Sequence, residues 1–438
     1  QKDMSLRQWQ FTLESVNELQ LQLLKNNLHL NIFFGDALEI FKFLKDKYGF
    51  SSIISEQETG IKWTYERDKK LKNFFFQNKI DWIECSYPGV KRGQHDRNQW
   101  AKNFRHDIIK KFNLPIIKHS VNLDLINHEL PKFFYDSTPC LHRQKGGSIE
   151  AEKLLKSFLN KRGENYQFEM SSPITAEKSC SRLSAHLTYG TISHRTVFQE
   201  AEKKRDQLKY TNKNFVKSIN SFLSRLHWRS HFIQKLEDQP SIEHSSFIPV
   251  YDQLREKDEE KLEAWIEGKT GVHFIDACMI YLRNYGWINF RMRAMLASFA
   301  SYNLWLDWRY FAPRLAALFT DFEPGIHYSQ IQMQSGTTGI NTIRMYNPYK
   351  QAMDQDPLGK FIKSQIPEVK NFSPAFFHNS PKKSSNVNLF DNEFKKEIVN
   401  VKESAQYARK KIFDIRKSQE HKILAKNVYL KHGSRGRN

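Results

Sequence analysis

The sequence predicts an α/β plus all-α protein: an α/β layer over residues 1–118, a connecting stretch over 119–165, and a helical domain over 166–438. Three observations predict this. Short apolar runs alternate with helical stretches in the first part, the pattern of a parallel sheet with crossover helices. From about residue 166 onward, apolar residues recur three and four apart over long stretches, the period of helices with one buried face. Hydrophobic residues make up 39% of the 438 and aromatics 13%, ample material for a packed core and, at this length, for two or three domains.

The elements follow in order. NLHLNIFFG (27–35) is a short apolar run ending in Gly. SSIIS (51–55) and KIDWIEC (79–85) read as strands, with helical stretches such as DALEIFKFLKDKYG before or between them. Pro131, Pro139 and the polar run HRQKGGS mark the connecting stretch. VHFIDACMIYLRNYG has apolar residues at 274, 275, 278, 279 and 282, a helical stripe that Gly286 can close. FRMRAMLASFASYNLWLDW repeats the pattern at 292, 295, 296 and 299. NSPKKSSNVNLF (379–390) reads as a loop. Residues 402–438 carry eleven Lys/Arg against three Asp/Glu and read as a basic helix with a frayed end, solvated or touching DNA.

Charge narrows the function. Lys+Arg 68 against Asp+Glu 48 gives +20, which favours polyanions, nucleic acid first among them. Cys85, Cys140, Cys180 and Cys278 are far apart, which argues against a zinc site or a disulfide framework and fits a reducing, cytoplasmic home. No apolar run reaches the length of a membrane span. The start, QKDMSLRQWQ, has no signal-peptide core and no initiator Met, so the chain reads as a fragment or a processed form.

Four stretches carry chemistry. SCSRLSAHLTYGTIS (179–193) places Ser179, Ser181, Arg182 and Ser184 at a helix entrance, where free N–H groups and an arginine suit a phosphate; a plain N-cap with a surface arginine is the simpler alternative. FLSRLHWRSHF (222–232) sets Phe222, Arg225, Trp228, Arg229 and Phe232 three and four apart, as if along one face that holds phosphates and stacks a base; a core aromatic flanked by surface charges is the rival. YGWINFRMRAM (285–295) brings Trp287, Asn289, Arg291 and Arg293 together in an apolar context, with Asp321 and Glu323 of FTDFEPG as possible partners for a buried arginine. TTGINTIRMYNPYKQAMDQDP (337–357) is irregular, as segments lining a site often are.

Taken in order, these stretches resemble the photolyase/cryptochrome flavoprotein family over nearly the whole chain, most strongly from about 179 to 370. Ser181-Arg182-Leu183-Ser184, after Cys180, matches the family's Ser-Arg-Leu-Ser segment, which holds the pyrophosphate of FAD. EAWIEGKTGVHFIDACM matches its Trp, Glu-Gly-Lys-Thr-Gly and Asp-Ala block. WRYFAPRLAALFTDFEPG, with Asp321, Phe322 and Glu323, matches its Asp-Trp-Arg helix and the acidic turn beside the isoalloxazine. RMYNP matches its Arg-x-Phe/Tyr-Asn-Pro close.

The resemblance implies a Rossmann-like N-terminal domain, incomplete because the family's first strand and Asp-Leu-Arg segment are absent, then a linker and a helical FAD-binding domain. It implies an Arg293–Asp321 ion pair beside the flavin ring, with Glu323 and Trp287 close by. Trp228 would stack on the lesion, and Arg225, Arg229 and Asn289 would face the DNA. The departures are specific. Arg225 stands where common photolyases carry a Glu, Met333 replaces a second stacking Trp, and His327 aligns with the residue facing flavin N5. Phe290 takes the place of an Asn, with Asn289 one position earlier. Of the three-Trp electron chain only Trp308 remains, and Ile331 aligns with the link nearest the ring. Two cysteines in the helical domain are too few for the iron–sulfur branch, and no metal is expected. The chain is similar to a divergent bacterial branch.

The function implied is light-driven repair of UV pyrimidine dimers, cyclobutane dimers favoured over (6-4) products, by electron transfer from reduced FAD. UV-damaged DNA is the implied partner, with no membrane and a monomeric state; an antenna chromophore is left open. A cryptochrome-type blue-light receptor without repair is the alternative that Arg225 keeps in view. A flavin-free nucleic-acid-binding protein is a third, disfavoured by the presence of both phosphate and ring contacts.

Overall fold

The computed structural model describes residues 4–93, 96–111, 116–123, 134–380 and 396–434. Helices α1 (Leu6–Leu24) and α2 (Ala37–Tyr48) precede strand β1 (Ser52–Glu56). Helix α3 (Lys62–Gln77) crosses to β2 (Asp81–Cys85), and α4 (Trp100–Ile108) follows. Both expected strands form, and they pair in parallel with Ser52 opposite Asp81 and Glu56 opposite Cys85. Asp36 caps α2 by accepting from the Leu38 and Glu39 N–H groups, and Gly49 ends it at φ 67°. The apolar run 27–35 is not a strand. It lies beside 120–123 through side-chain bonds instead: His29 N–H to Ser120 Oγ (2.7 Å) and Asn31 Nδ2 to the Val121 carbonyl (2.8 Å).

The remainder is helical: α5 (Ser148–Ser157), α6 (Tyr166–Glu169), α7 (Pro173–Ser179), α8 (Ser184–Thr188), α9 (His194–Leu208), α10 (Lys213–Asp238), α11 (Glu259–Glu267) and α12 (His273–Tyr285). Then come α13 (Phe290–Ser298), α14 (Trp308–Leu318), α15 (Pro324–Ser335), α16 (Pro348–Gln355), α17 (Lys360–Gln365), α18 (Pro374–His378), α19 (Val401–Lys417) and α20 (Gln419–His432). The stripe at 274–282 is buried as expected, and Gly286 closes α12 in the left-handed region at φ 64°. A Cβ at Gly286 would come within 2.2 Å of Thr320 Oγ1, so only glycine fits.

Three expectations change. The stretch 119–165, read as connecting, is helical from Ser148, and Ala151, Leu155 and Phe158 share a core with α9 and α10. Within 1–118, α4 joins that same core through Trp100, Phe104 and Ile108, while the layer's own core is the small group Leu71, Phe75 and Ile80. The basic segment from 402 is two helices meeting at Ser418, which caps the second by accepting from the His421 N–H. Ala408, Ile412 and Val428 pack them against Ile248 and Tyr251. The loop expected at 379–390 lies outside the described residues beyond Ser380, as do Pro131 and residues 435–438.

Polar contacts bind α1 to the helical domain. Arg7, fully buried, donates to the carbonyls of Arg283 (3.1 Å) and Leu318 (3.0 Å). Gln8 donates to those of Ala316 and Phe319. The Glu18 carboxylate accepts from Ser148 N–H (2.6 Å), Ser148 O–H (2.8 Å) and Ile149 N–H (3.1 Å), serving as a remote N-cap for α5. Among the described residues, no helix is long and apolar enough to cross a membrane.

Candidate cofactor and nucleic-acid site

Helix α10 splits the residues that sequence spacing puts on one face. Steps of three fall short of a full turn, so Phe222 and Trp228 end up about 120° apart around the axis. Phe222 is buried against Phe158 (4.7 Å between rings) and Tyr166 (6.3 Å). Arg225 is exposed, and Trp228 is 43% exposed with its edge on Phe232 (5.7 Å). Arg229 turns inward and is not a DNA contact. Its Nη2 donates to Glu323 Oε2 (2.5 Å) and the Leu187 carbonyl (3.2 Å), and its Nε donates to Tyr87 Oη (3.0 Å). Glu323, expected beside the cofactor, is therefore taken up by Arg229; burial raises its carboxyl and the arginine pulls the other way. Tyr87, which completes the triad from the α/β layer, carries no local sequence signal.

The turn between α7 and α8 is built around two arginines. Arg162 donates to the carbonyls of Cys180 (2.7 Å), Lys178 (2.9 Å) and Ser181 (3.3 Å), fixing the turn from behind. Arg182 sits at φ 63°, a strained setting for a non-glycine residue that turns its side chain into the domain. Its guanidinium lies 3.8 Å from the centre of the Trp287 ring, uniting two residues expected at the cofactor. Arg182 Nη1, Ser184 Oγ and Thr188 Oγ1 are all buried without a hydrogen-bond partner. Burial of this kind is costly unless something else satisfies the groups. Leu183 is fully buried beneath the turn, and its N–H is the donor to Ser181 Oγ (3.4 Å). Ser179 is not available to a phosphate, because its hydroxyl donates to Glu169. Burial pushes the Cys180 thiol up to about 12, which leaves it inert.

Across from this turn, Arg293 and Asp321 form the expected pair, two parallel bonds of 3.0 and 2.8 Å, with the guanidinium also over Phe319 (4.2 Å). His327 is buried, and its Nε2 lies 2.9 Å from the Ala312 carbonyl. A carbonyl only accepts, so Nε2 carries the proton. Burial pushes the ring down to about 4, so at neutral pH it is uncharged and Nδ1 keeps its lone pair. Phe322 meets His327 edge-on at 5.2 Å. Trp308 donates from Nε1 to Ser246 Oγ (3.0 Å) and meets Tyr328 edge-on at 6.4 Å. Ile331 is buried and Met333 partly so. Asn289 does not face a nucleic acid: it is 2% exposed, and its Nδ2 pins the carbonyls of Met170 (3.1 Å) and Ser171 (2.7 Å).

Residues 222–414 match the family described as the FAD binding domain of DNA photolyase. The chain is 30% identical over 235 residues to the deoxyribodipyrimidine photo-lyase of Streptomyces griseus, covering 53% of this chain and 49% of that one. It therefore spans about half the length of that curated relative. Among solved structures it resembles an archaeal photolyase from Sulfolobus tokodaii (TM-score 0.71, 25% identity, 94% of this chain and 90% of that one). The fold is also that of a Synechocystis cryptochrome (TM-score 0.77, 19% identity, 93% and 88% covered).

Proposed function

The chain belongs to the photolyase/cryptochrome flavoprotein family, and from that premise we propose that it is a light-driven lyase repairing UV pyrimidine dimers in DNA, cyclobutane dimers in particular. The observation that carries the reading is the pairing of two half-sites. One is a turn with three buried, unsatisfied polar groups (Arg182 Nη1, Ser184 Oγ, Thr188 Oγ1); the other is the Arg293–Asp321 pair. The first suits the pyrophosphate of a dinucleotide and the second a polar ring, so the residues fit FAD.

Bound FAD supplies light absorption and the single electron that splits the dimer. The chain supplies position and electrostatics. Ser181, Arg182 and Ser184 would hold the pyrophosphate, with Cys180 and Leu183 shaping the turn. Trp287, Phe322 and the Arg293–Asp321 pair would flank the ring. Neutral His327 offers a bare Nδ1, which accepts a hydrogen bond from an N–H donor and cannot itself donate. Trp228, exposed on α10, would stack on a flipped base, which leaves the duplex at least cost when damaged. Arg225 lies one turn away, exposed, for the backbone. Met333 would contact the lesion. The enzyme would act as a monomer in a reducing, cytoplasmic setting, in a branch distinct from the iron–sulfur one.

One observation favours a second reading, a blue-light receptor without repair: Arg225 stands where a lesion-binding Glu is expected. Light-dependent repair by the chemically reduced protein on cyclobutane and (6-4) substrates separates the two, and absence of repair on both leaves the receptor. In the same assay, Trp228→Ala weakens binding to damaged DNA by about 1–3 kcal/mol and leaves undamaged duplex unaffected. Equal loss on both would make Trp228 structural.

A further inference from the structure

The C-terminal half of α10 carries a cluster of nitrogen bases that the flavin reading leaves unused. Lys235 is 7% exposed, and among the described residues no carboxylate pairs with it. Its ammonium lies 5.2 Å from the Phe232 ring and 5.9 Å from Phe247. His231, one turn back and 8% exposed, receives a hydrogen bond at Nδ1 from Arg97. A guanidinium has no lone pair to offer, so that nitrogen is bare and the ring carries its proton on Nε2. His432, at the end of α20 and 1% exposed, reaches Gln239 Oε1 through Nε2 (2.8 Å) and meets Phe247 edge-on at 5.1 Å. Its Nδ1 has no hydrogen-bond partner.

Three elements thus converge: the turn Arg97–Gln99, α10 and α20. They repel one another electrostatically. After burial, Lys235 and Arg97 are what push His231 down, and the same two push His432 down together with Lys431. Burial, reinforced by Arg97, brings Lys235 to about 8. The acids at this end of α10 are engaged elsewhere: Glu237 pairs with Arg92 (2.9 Å) and Asp238 accepts from Gln234 (2.7 Å). A largely buried lysine whose ammonium lies beside two ring faces and among other bases gains from a ligand that brings negative charge. Ring faces offset part of the cost of that burial.

We propose that this cluster is a binding site for a phosphoryl anion, anchored by the Lys235 ammonium with the Nε2–H of His231 as its imidazole donor. A tetrahedral anion has oxygens for donors arriving from several directions, and the charge assistance makes each bond strong. His231 also lies 6.5 Å from the exposed Trp228 ring, so the anion site adjoins the surface where a base would stack. The phosphoryl group comes either from a nucleic-acid backbone, an arm that rests on the proposed function, or from free phosphate.

The test pairs the wild type with Lys235→Met, which keeps the stem's volume and removes the charge, and with Lys235→Arg, which keeps the charge. Thermal unfolding is followed in inorganic phosphate and in chloride at equal ionic strength, and affinity for undamaged duplex is followed against salt. Phosphate is expected to raise the unfolding midpoint of the wild type and of Lys235→Arg above that in chloride, and not that of Lys235→Met. A backbone occupant also lowers the log–log salt slope of Lys235→Met by about 0.9, one phosphate contact. Phosphate stabilisation with an unchanged slope supports the site and assigns it to free phosphate. A changed slope without it supports the site and assigns it to the backbone. Absence of both effects overturns the proposal. A wild type that binds no DNA at all counts against the proposed function, and the phosphate arm still tests the site.

Discussion

Arg293 and Asp321 lie 28 positions apart and meet in a two-point ion pair with the carboxylate almost wholly buried. Asp321 sits in the turn between α14 and α15, and Arg293 also donates from Nε to the Ile288 carbonyl (2.7 Å), but removing either partner of the pair leaves the other's charge stranded. Asp321→Asn keeps the shape and removes the charge. We expect it to cost about 3 kcal/mol by chemical denaturation and to lower the flavin retained through purification; unchanged values of both would show that the pair does not matter. Aromatic neighbours decide a second question. Tyr328, Trp305 and Trp287 are the candidate detours for an electron past Ile331, and of these only Tyr328 is in ring contact with Trp308, at 6.4 Å between centroids. Trp305 instead packs on Tyr407 and Arg255, and Trp287 lies under Arg182. With an added thiol as reductant, light-driven reduction of the bound flavin should therefore slow in Trp308→Phe and in Tyr328→Phe alike, and not in Trp305→Phe. If Trp305→Phe is the slow variant, the route runs elsewhere.

At the scale of elements, side chains arriving from far along the chain finish what local sequence starts. Helix α5 begins after Gly147, at φ 108°, with no side chain of its own on the first N–H groups. Glu18 from α1 supplies the acceptor, and a Cβ at Gly147 would come within 2.2 Å of its carboxylate. Glu18→Ala should lower stability by about 1 kcal/mol, read as a shift in the denaturant midpoint. An unaltered midpoint would mean that water replaces the carboxylate at no cost. Helix α10 shows the same principle in reverse. Its inward Arg229 is set by Glu323 and Tyr87, its outward Trp228 rests an edge on Phe232 and is otherwise open to solvent, and its far end is set by the bases around Lys235.

The whole molecule buries several uncharged imidazoles. Burial lowers His186, His273 and His327 to about 4 and His194 to about 3. An unfolded histidine titrates near 6.5, so between there and about 4 the unfolded chain binds protons that the folded chain refuses. Stability from these rings is complete above that range and is lost as pH falls through it. Asp276, raised by burial to about 6, and Glu397, raised to about 7, act in the opposite sense, since their contribution is lost as pH rises. The rings outnumber these carboxyls. We expect stability to fall from pH 7 to 5.5 at about 1–2 kcal/mol per pH unit, measured by chemical denaturation at each pH. A flat or rising profile would mean that the rings are hydrated.

What the sequence determined by itself was local. The strands at 52–56 and 81–85, and the helix 273–285 with its glycine stop, follow from apolar period and capping chemistry, which act within one or two turns of chain. The Ser-Arg-Leu-Ser turn and the acidic turn were legible as motifs, and their resemblance to the family's implied FAD. Tertiary structure decided the rest. It kept 27–35 out of the sheet, began α5 inside the supposed linker, joined α1 to the helical domain through Arg7, and engaged Arg229 and Asn289 in buried contacts with distant protein groups. In each case the deciding partner lies far along the chain, 142 residues away for Arg229 and Tyr87. A helix's 3.6-residue turn tells which residues share a side, and only the neighbours packed against it fix whether that side faces water, protein or ligand.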